Sequence, residues 1–270
     1  MRTILVATDF SAIAKNAVEY AAAGASQIKA KIVLFNAFKL PLHASNTILS
    51  VENVEGIITK NKLALEQRAQ ELRDRYQVEV ITEHSLLDVE DEIERLIEQY
   101  QAEMVVMGMA AKSLEQDLLG NTTTNVIQRL KFPVFAVPEG ATYKKVERIL
   151  YACDIERGVQ KQVLDRIRDI AELSDAEVEV FNVQRVVSKL QDELDPVVLL
   201  KDGMEGIQYL YKNVESNAII DEIKKEIETY QADLLIMVPN KYGFWSSIVH
   251  RSKTRMLAAG LQIPLLSIPL

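Results

Sequence analysis

The feature that most constrains this chain is an internal repeat. Thr3-Ile4-Leu5-Val6-Ala7-Thr8-Asp9 answers to Arg148-Ile149-Leu150-Tyr151-Ala152-Cys153-Asp154 at an offset of 145, and Leu34-Phe35-Asn36 answers to Val180-Phe181-Asn182 at 146. Further on, Glu103-Met104-Val105-Val106-Met107 matches Asp233-Leu234-Leu235-Ile236-Met237 at 130, and Pro133 to Pro138 matches Pro264 to Pro269 at 131. The order is the same in both halves, and the falling offset shortens the second copy between its second and fourth strands. Two domains are therefore expected, 1–140 and 144–270, with Gly140-Ala141-Thr142 as the linker.

Within the first copy, apolar runs at 3–8, 31–37, 78–82, 103–107 and 133–137 alternate with helical stretches. Runs that are continuous rather than alternating belong to strands buried on both faces, hence to a parallel sheet covered by helices. The corresponding runs of the second copy are 148–153, 178–183, 206–212, 233–238 and 264–268. Ser11 to Gln27 reads as a helix capped by Ser11, with a small-residue stripe of Ala14, Ala17, Val18, Ala21, Ala22 and Ala25. Helices follow at Val51–Tyr76, at Asp88–Tyr100 and from near Asn121 to just before Phe132. The fold class is α/β, with two tandem doubly wound five-stranded parallel sheets.

Composition narrows the function. Hydrophobic residues make up 48% of 270, enough for a core in each half, and the net charge of −8 argues against a nucleic-acid partner. The single Cys153 cannot form an internal disulfide, which fits a reducing, cytoplasmic compartment. The first apolar run stops at Asp9, too soon for a signal peptide or a membrane span, so a soluble protein without a membrane partner is expected. His43, His84 and His250 show no metal-binding spacing, so no metal is expected.

Ligands of open parallel sheets sit beyond the carboxyl ends of the strands. The residues there in the first copy are Ala7 and Thr8 at the end of strand one with Asp9 after it, Asn36 and Ala37 at the end of strand two, and Met107 at the end of strand four with Gly108 after it. Gly120-Asn121-Thr122 opens a helix whose free N–H groups suit a phosphate, although the same three residues also read as an ordinary N-cap. Asp9 likewise reads as a cap of the first helix. The Walker pattern and the G-x-G-x-x-G fingerprint are absent.

Thr3 to Ser11, together with Val106-Met107-Gly108 and Leu118-Leu119-Gly120-Asn121-Thr122, resembles the universal stress protein family over the whole chain, as two tandem domains. That resemblance implies an adenine nucleotide alpha hydrolase-like fold and pairing of the two domains through their fifth strands, an intramolecular pseudo-dimer able to assemble further into a homodimer. It implies ATP or a related adenine nucleotide as ligand, with Asp9 at the base or ribose and Gly108, Gly120, Asn121 and Thr122 at the phosphates. ATP-binding members carry G-x2-G-x9-G-[S/T]. This chain has Ala111 at the second glycine, eight residues between Ala111 and Gly120, and Asn121 in place of the hydroxyl residue.

The second copy departs further. It has Pro239 after its fourth strand and Arg251 opposite Gly120, so it is expected to have lost the nucleotide loop; Lys241, His250, Arg251, Lys253 and Arg255 read as a solvated basic helix face, with an anion site as the alternative reading. Three functions stay open: a nucleotide-responsive regulatory protein of the stress response without fast turnover, a slow hydrolase or transferase of phosphoryl or adenylyl groups, and an interaction module that binds no nucleotide. The first is favoured, because Glu115 and Asp117 are the only carboxylates of the loop between Gly108 and Thr124, and phosphoryl transfer needs metal-holding groups.

Overall fold

A computed structural model describes residues 2–37, 51–110, 122–153, 160–184, 200, 203–239 and 262–269. It divides into two compact units, 1–108 and 109–270.

The first unit holds four strands, β1 (Thr3–Ala7), β2 (Lys31–Ala37), β3 (Val80–Ser85) and β4 (Met104–Met109, which ends at the boundary). They lie in the order β3-β2-β1-β4, all parallel, with Leu5 facing Val33 on one side and Val105 on the other. Parallel strands need long crossovers, and the helices α1 (Ala12–Ile28), α2 (Val51–Tyr76) and α3 (Val89–Tyr100) supply them. Leu5, Val33, Leu34 and Val105 are fully buried, as expected for strands covered on both faces. The α1 stripe is buried at Ala14, Ala17, Val18, Ala21, Ala22 and Ala25, and the Ser11 side chain caps the helix by accepting from the Ala14 N–H.

In the second unit, α4 (Thr122–Arg129) and β5 (Val134–Pro138) precede β6 (Arg148–Cys153), α5 (Lys161–Ser174), β7 (Glu177–Gln184), β8 (Tyr209–Glu215), α6 (Ile219–Tyr230), β9 (Leu234–Met237) and β10 (Leu265–Ser267). The strand order is β5-β10-β9-β6-β7-β8. All neighbours are parallel except β5 and β10, which run antiparallel with Ala136 opposite Leu265 and Val134 opposite Ser267. β5 falls within the second compact unit. Asp233 fixes the start of β6: its carboxylate accepts from the N–H groups of Glu147 (2.9 Å) and Arg148 (3.0 Å), and its own N–H donates to the Arg148 carbonyl (2.8 Å).

Two strands lie later than their apolar runs. β3 begins at Val80 rather than 78 and extends through Glu83, His84 and Ser85, while β8 begins at Tyr209 rather than 206 and extends to Glu215. Each is the terminal strand of its order, with one neighbour, so its far end needs no apolar side chains to pair through its backbone.

Candidate functional site

The first unit gathers most of the expected site residues at the carboxyl edge of its sheet. The Thr8 N–H donates to the Phe35 carbonyl (2.9 Å), continuing the β1–β2 ladder one residue past β1. Asn36, almost wholly buried on β2, donates through Nδ2 to the Thr8 carbonyl (2.7 Å). Ala7, Thr8 and Ala37 are thereby tied into one edge by backbone and amide bonds, and Asn36 is the residue that does the tying.

The turn from β1 into α1 is held in an unusual conformation. Phe10 has φ 64°, in the left-handed region that a bulky L-residue enters only at a cost. Among the described residues, the five other non-glycine residues with positive φ, Lys29, Gln77, Gln101, Asp175 and Gln231, each directly follow a helix, where that conformation ends the helix in the usual way. Phe10 precedes one. Two side chains hold it there: Thr8 Oγ1 accepts the Phe10 N–H (3.1 Å), and Asp9 Oδ1 accepts the Ser11 N–H (2.9 Å). Asp9 itself is exposed, so its carboxylate is presented outward from a turn that its own hydrogen bond helps to fix.

Gly108 has a packing reason to be glycine. A Cβ there would lie 2.8 Å from both the carbonyl oxygen and Cγ2 of Ile13, on the first turns of α1. The absence of that methyl lets β4 and the N-terminal end of α1 approach each other, with Met107 buried beside it. Thr122 opens α4 in the second unit and is exposed, whereas Thr123 and Thr124 behind it are buried. Ala111, Gly120 and Asn121 lie outside the described residues, as do Glu115 and Asp117.

The corresponding edge of the second repeat is built differently. Cys153 ends β6 and is buried. Asn182, at the place of Asn36, donates from Nδ2 to Asn213 Oδ1 (2.9 Å) on the neighbouring strand β8. Pro239 stands two residues after β9 and has no N–H to offer an anion. Asp154, Lys241, His250, Arg251, Lys253 and Arg255 lie outside the described residues. Among the described residues, no group of three or more His, Cys, Asp or Glu could hold a metal ion, and no helix is long and apolar enough to cross a membrane.

Residues 1–138 match the model of the universal stress protein family, which is half of the chain. The chain belongs to that family. Among solved structures it is similar to a universal stress protein from Archaeoglobus fulgidus DSM 4304, with 16% identity, a TM-score of 0.76 and coverage of 99% of this chain and 96% of that one. It is also similar to a putative universal stress protein from Pseudomonas aeruginosa UCBPP-PA14, with 14% identity, a TM-score of 0.59 and coverage of 100% and 93%. At these identities the likeness is one of fold, and it extends over both repeats. No curated protein matches the sequence.

Two features of this edge are poorly visible in a sequence. Asn36 stands out only as a polar residue in an apolar run, with nothing to show that it grips the Thr8 carbonyl. The left-handed Phe10 carries no sequence signal, since neither glycine nor asparagine marks the position.

Proposed function

We propose that the first repeat of this universal stress protein binds an adenine nucleotide, ATP foremost, and that occupancy serves regulation in the stress response rather than fast turnover. The observation that carries this reading is the β1–α1 turn. A bulky residue held in the left-handed region costs about 1–3 kcal/mol, and such strain persists where surrounding contacts over-determine it, characteristically at ligand sites. Here Thr8, Asp9 and Asn36 supply those contacts, and the product is an exposed carboxylate at the carboxyl edge of a parallel sheet, where α/β folds take their ligands. On this reading Asp9 meets the base or ribose, Ala7, Thr8, Ala37 and Met107 line that end, and Gly108, Ala111, Gly120, Asn121 and Thr122 lie along the phosphates. The two repeats, 1–140 and 144–270, act as domains joined through β5 and β10 as a pseudo-dimer, a reading supported by the antiparallel pairing of Val134–Pro138 with Leu265–Ser267. The second repeat, with Pro239 after β9, is silent.

Calorimetric titration of the whole chain with ATP tests this. One equivalent should bind per chain, with binding lost in Asp9→Ala and Gly120→Val and kept in Arg251→Ala. Unchanged affinity in both of the first two variants would overturn the placement. Two equivalents, or loss in Arg251→Ala alone, would move the site to the second repeat.

A further inference from the structure

The repeat offsets expose a substitution inside the second unit. At the offset of 146, fully buried Val33 of β2 becomes Glu179 of β7; at 130, fully buried Leu96 of α3 becomes Glu226 of α6. Neither glutamate has escaped to the surface, since Glu179 is 6% exposed and Glu226 5%. One apolar pair of core positions has thus become a pair of buried carboxyl groups, which is costly unless each is paired or neutral.

One cation serves both. Lys212 on β8 places its ammonium 2.6 Å from Glu226 Oε2 and 6.0 Å from the centre of the Phe181 ring. Glu179 Oε1 has no hydrogen-bond partner. Among the described residues, the other groups near the cluster add no free cation to offset a second negative charge. Glu177 lies on the same strand and adds repulsion, and the Tyr230 hydroxyl at the end of α6 is buried without a partner. Arg148 at the start of β6 is engaged with Gln231 and the Tyr230 carbonyl, and Asp233 is committed to Lys144 and the β6 backbone. The in-register neighbours of Glu179, Leu150 and Leu210, are apolar.

We propose that Glu179 and Glu226 share one proton, held as a carboxyl-to-carboxylate hydrogen bond that seats the C-terminal half of α6 on the sheet, and that this makes the second repeat a pH-sensitive element. Glu226, paired with Lys212, is the carboxylate; Glu179 carries the proton. Loss of that proton leaves two negative charges and one positive charge in a buried site. Burial first, then the neighbouring Glu226 charge, raises the Glu179 pKa to about 7, with Lys212 opposing. The sign follows. The folded form holds a proton that the unfolded chain has released above its ordinary glutamate pKa, so stability is fully present below that value and is lost as pH rises through about 7.

Hydrogen exchange of the whole chain, read at the α6 amides and corrected for intrinsic rates, tests this. Protection of α6 should fall about tenfold between about pH 6 and about pH 8, while Glu179→Gln, which keeps a donor toward Glu226 but cannot ionise, should be flat over that range. Equal pH dependence in the two proteins overturns the proposal, as does a flat profile in the unaltered chain. Should Glu179→Gln fail to fold, carbon-13 titration of the Glu179 carboxyl in the unaltered chain decides: a midpoint near neutrality supports proton sharing, and a midpoint in the ordinary carboxylate range refutes it. The double variant Glu179→Val/Glu226→Leu, which restores the apolar pair of the first repeat, should fold and lose the pH dependence.

Discussion

Gly108→Ala is the sharpest test of how the carboxyl edge of the first unit is built. The added methyl would meet three atoms of one residue, the carbonyl oxygen and Cγ2 of Ile13 at 2.8 Å and its carbonyl carbon at 3.0 Å. Ordinary contact begins at 3.4 Å, so the two closest atoms must retreat by roughly half an ångström. Cγ2 belongs to a side chain that has other rotamers. The carbonyl oxygen does not, because it belongs to the backbone of α1, whose buried alanine stripe is seated on the sheet. Overpacking of this kind costs about 1–3 kcal/mol. For a chain of this size each kcal/mol lowers the melting temperature by about 2–4 °C. Thermal and urea denaturation without nucleotide should show this loss, and Ile13→Ala in the same chain should recover only part of it, since the oxygen contact survives. A Gly108→Ala protein within about 0.5 kcal/mol of the parent would refute the packing argument. A variant of parental stability that had lost ATP affinity would assign the glycine to the ligand alone.

Two further outcomes follow from buried acids. The Asp233 pKa is lowered: burial pushes it up, but Lys144 and the N–H groups of Glu147 and Arg148 outweigh that effect. Asp233→Asn should therefore cost about 1–3 kcal/mol at neutral pH, with the gap closing as acid protonates the parent carboxylate through its lowered pKa; a gap constant down to strong acid would exclude the mechanism. In the first unit, fully buried Glu92 depends on Arg95, whose Nη2 lies 2.7 Å from Glu92 Oε1 and 3.1 Å from Glu83 Oε2. Arg95→Met should cost about 3–5 kcal/mol by stranding that carboxylate, and urea midpoints should show most of the loss restored in Arg95→Met/Glu92→Leu. Failure of the second change to rescue the first would mean that Arg95 acts through its other partners.

The parts of this fold legible in the sequence are those where one physical requirement dominates. Ile32, Val33, Leu34 and Phe35 are all buried, so a continuous apolar run was enough to locate β2, and the Ser11 cap with its alanine stripe was enough for α1. The terminal strands β3 and β8 were displaced because Glu83-His84-Ser85 and Lys212-Asn213-Val214-Glu215 pair through their backbones without an apolar pattern. Gly108 was visible as a glycine, but its reason was not: a loop glycine that admits a phosphate and a strand glycine that admits a helix look the same until Ile13 is placed beside it. The antiparallel pairing of β5 with β10 joins residues about 130 positions apart, which no local pattern shows.

The two repeats share a frame and have diverged in where they tolerate polarity. In the first, the buried polar group at the strand edge, Asn36, turns inward to hold the Thr8 carbonyl and with it the turn that presents Asp9. In the second, the equivalent Asn182 bonds sideways to Asn213, and Pro239 follows β9. The demands at the helix interface run the other way. Val33 and Leu96 are apolar in the first repeat, where fully buried Glu92 of α3 is paired with Arg95, whereas Glu179 and Glu226 stand at the matching positions of the second repeat and Lys212 occupies on β8 the place of Glu83 on β3. Two buried carboxyl groups cost stability unless their partners are right, and Lys212 is the cation that meets that requirement. The pair and its lysine place the buried charges of the second repeat at the helix seat, beside the Asn182–Asn213 bond of its strand edge.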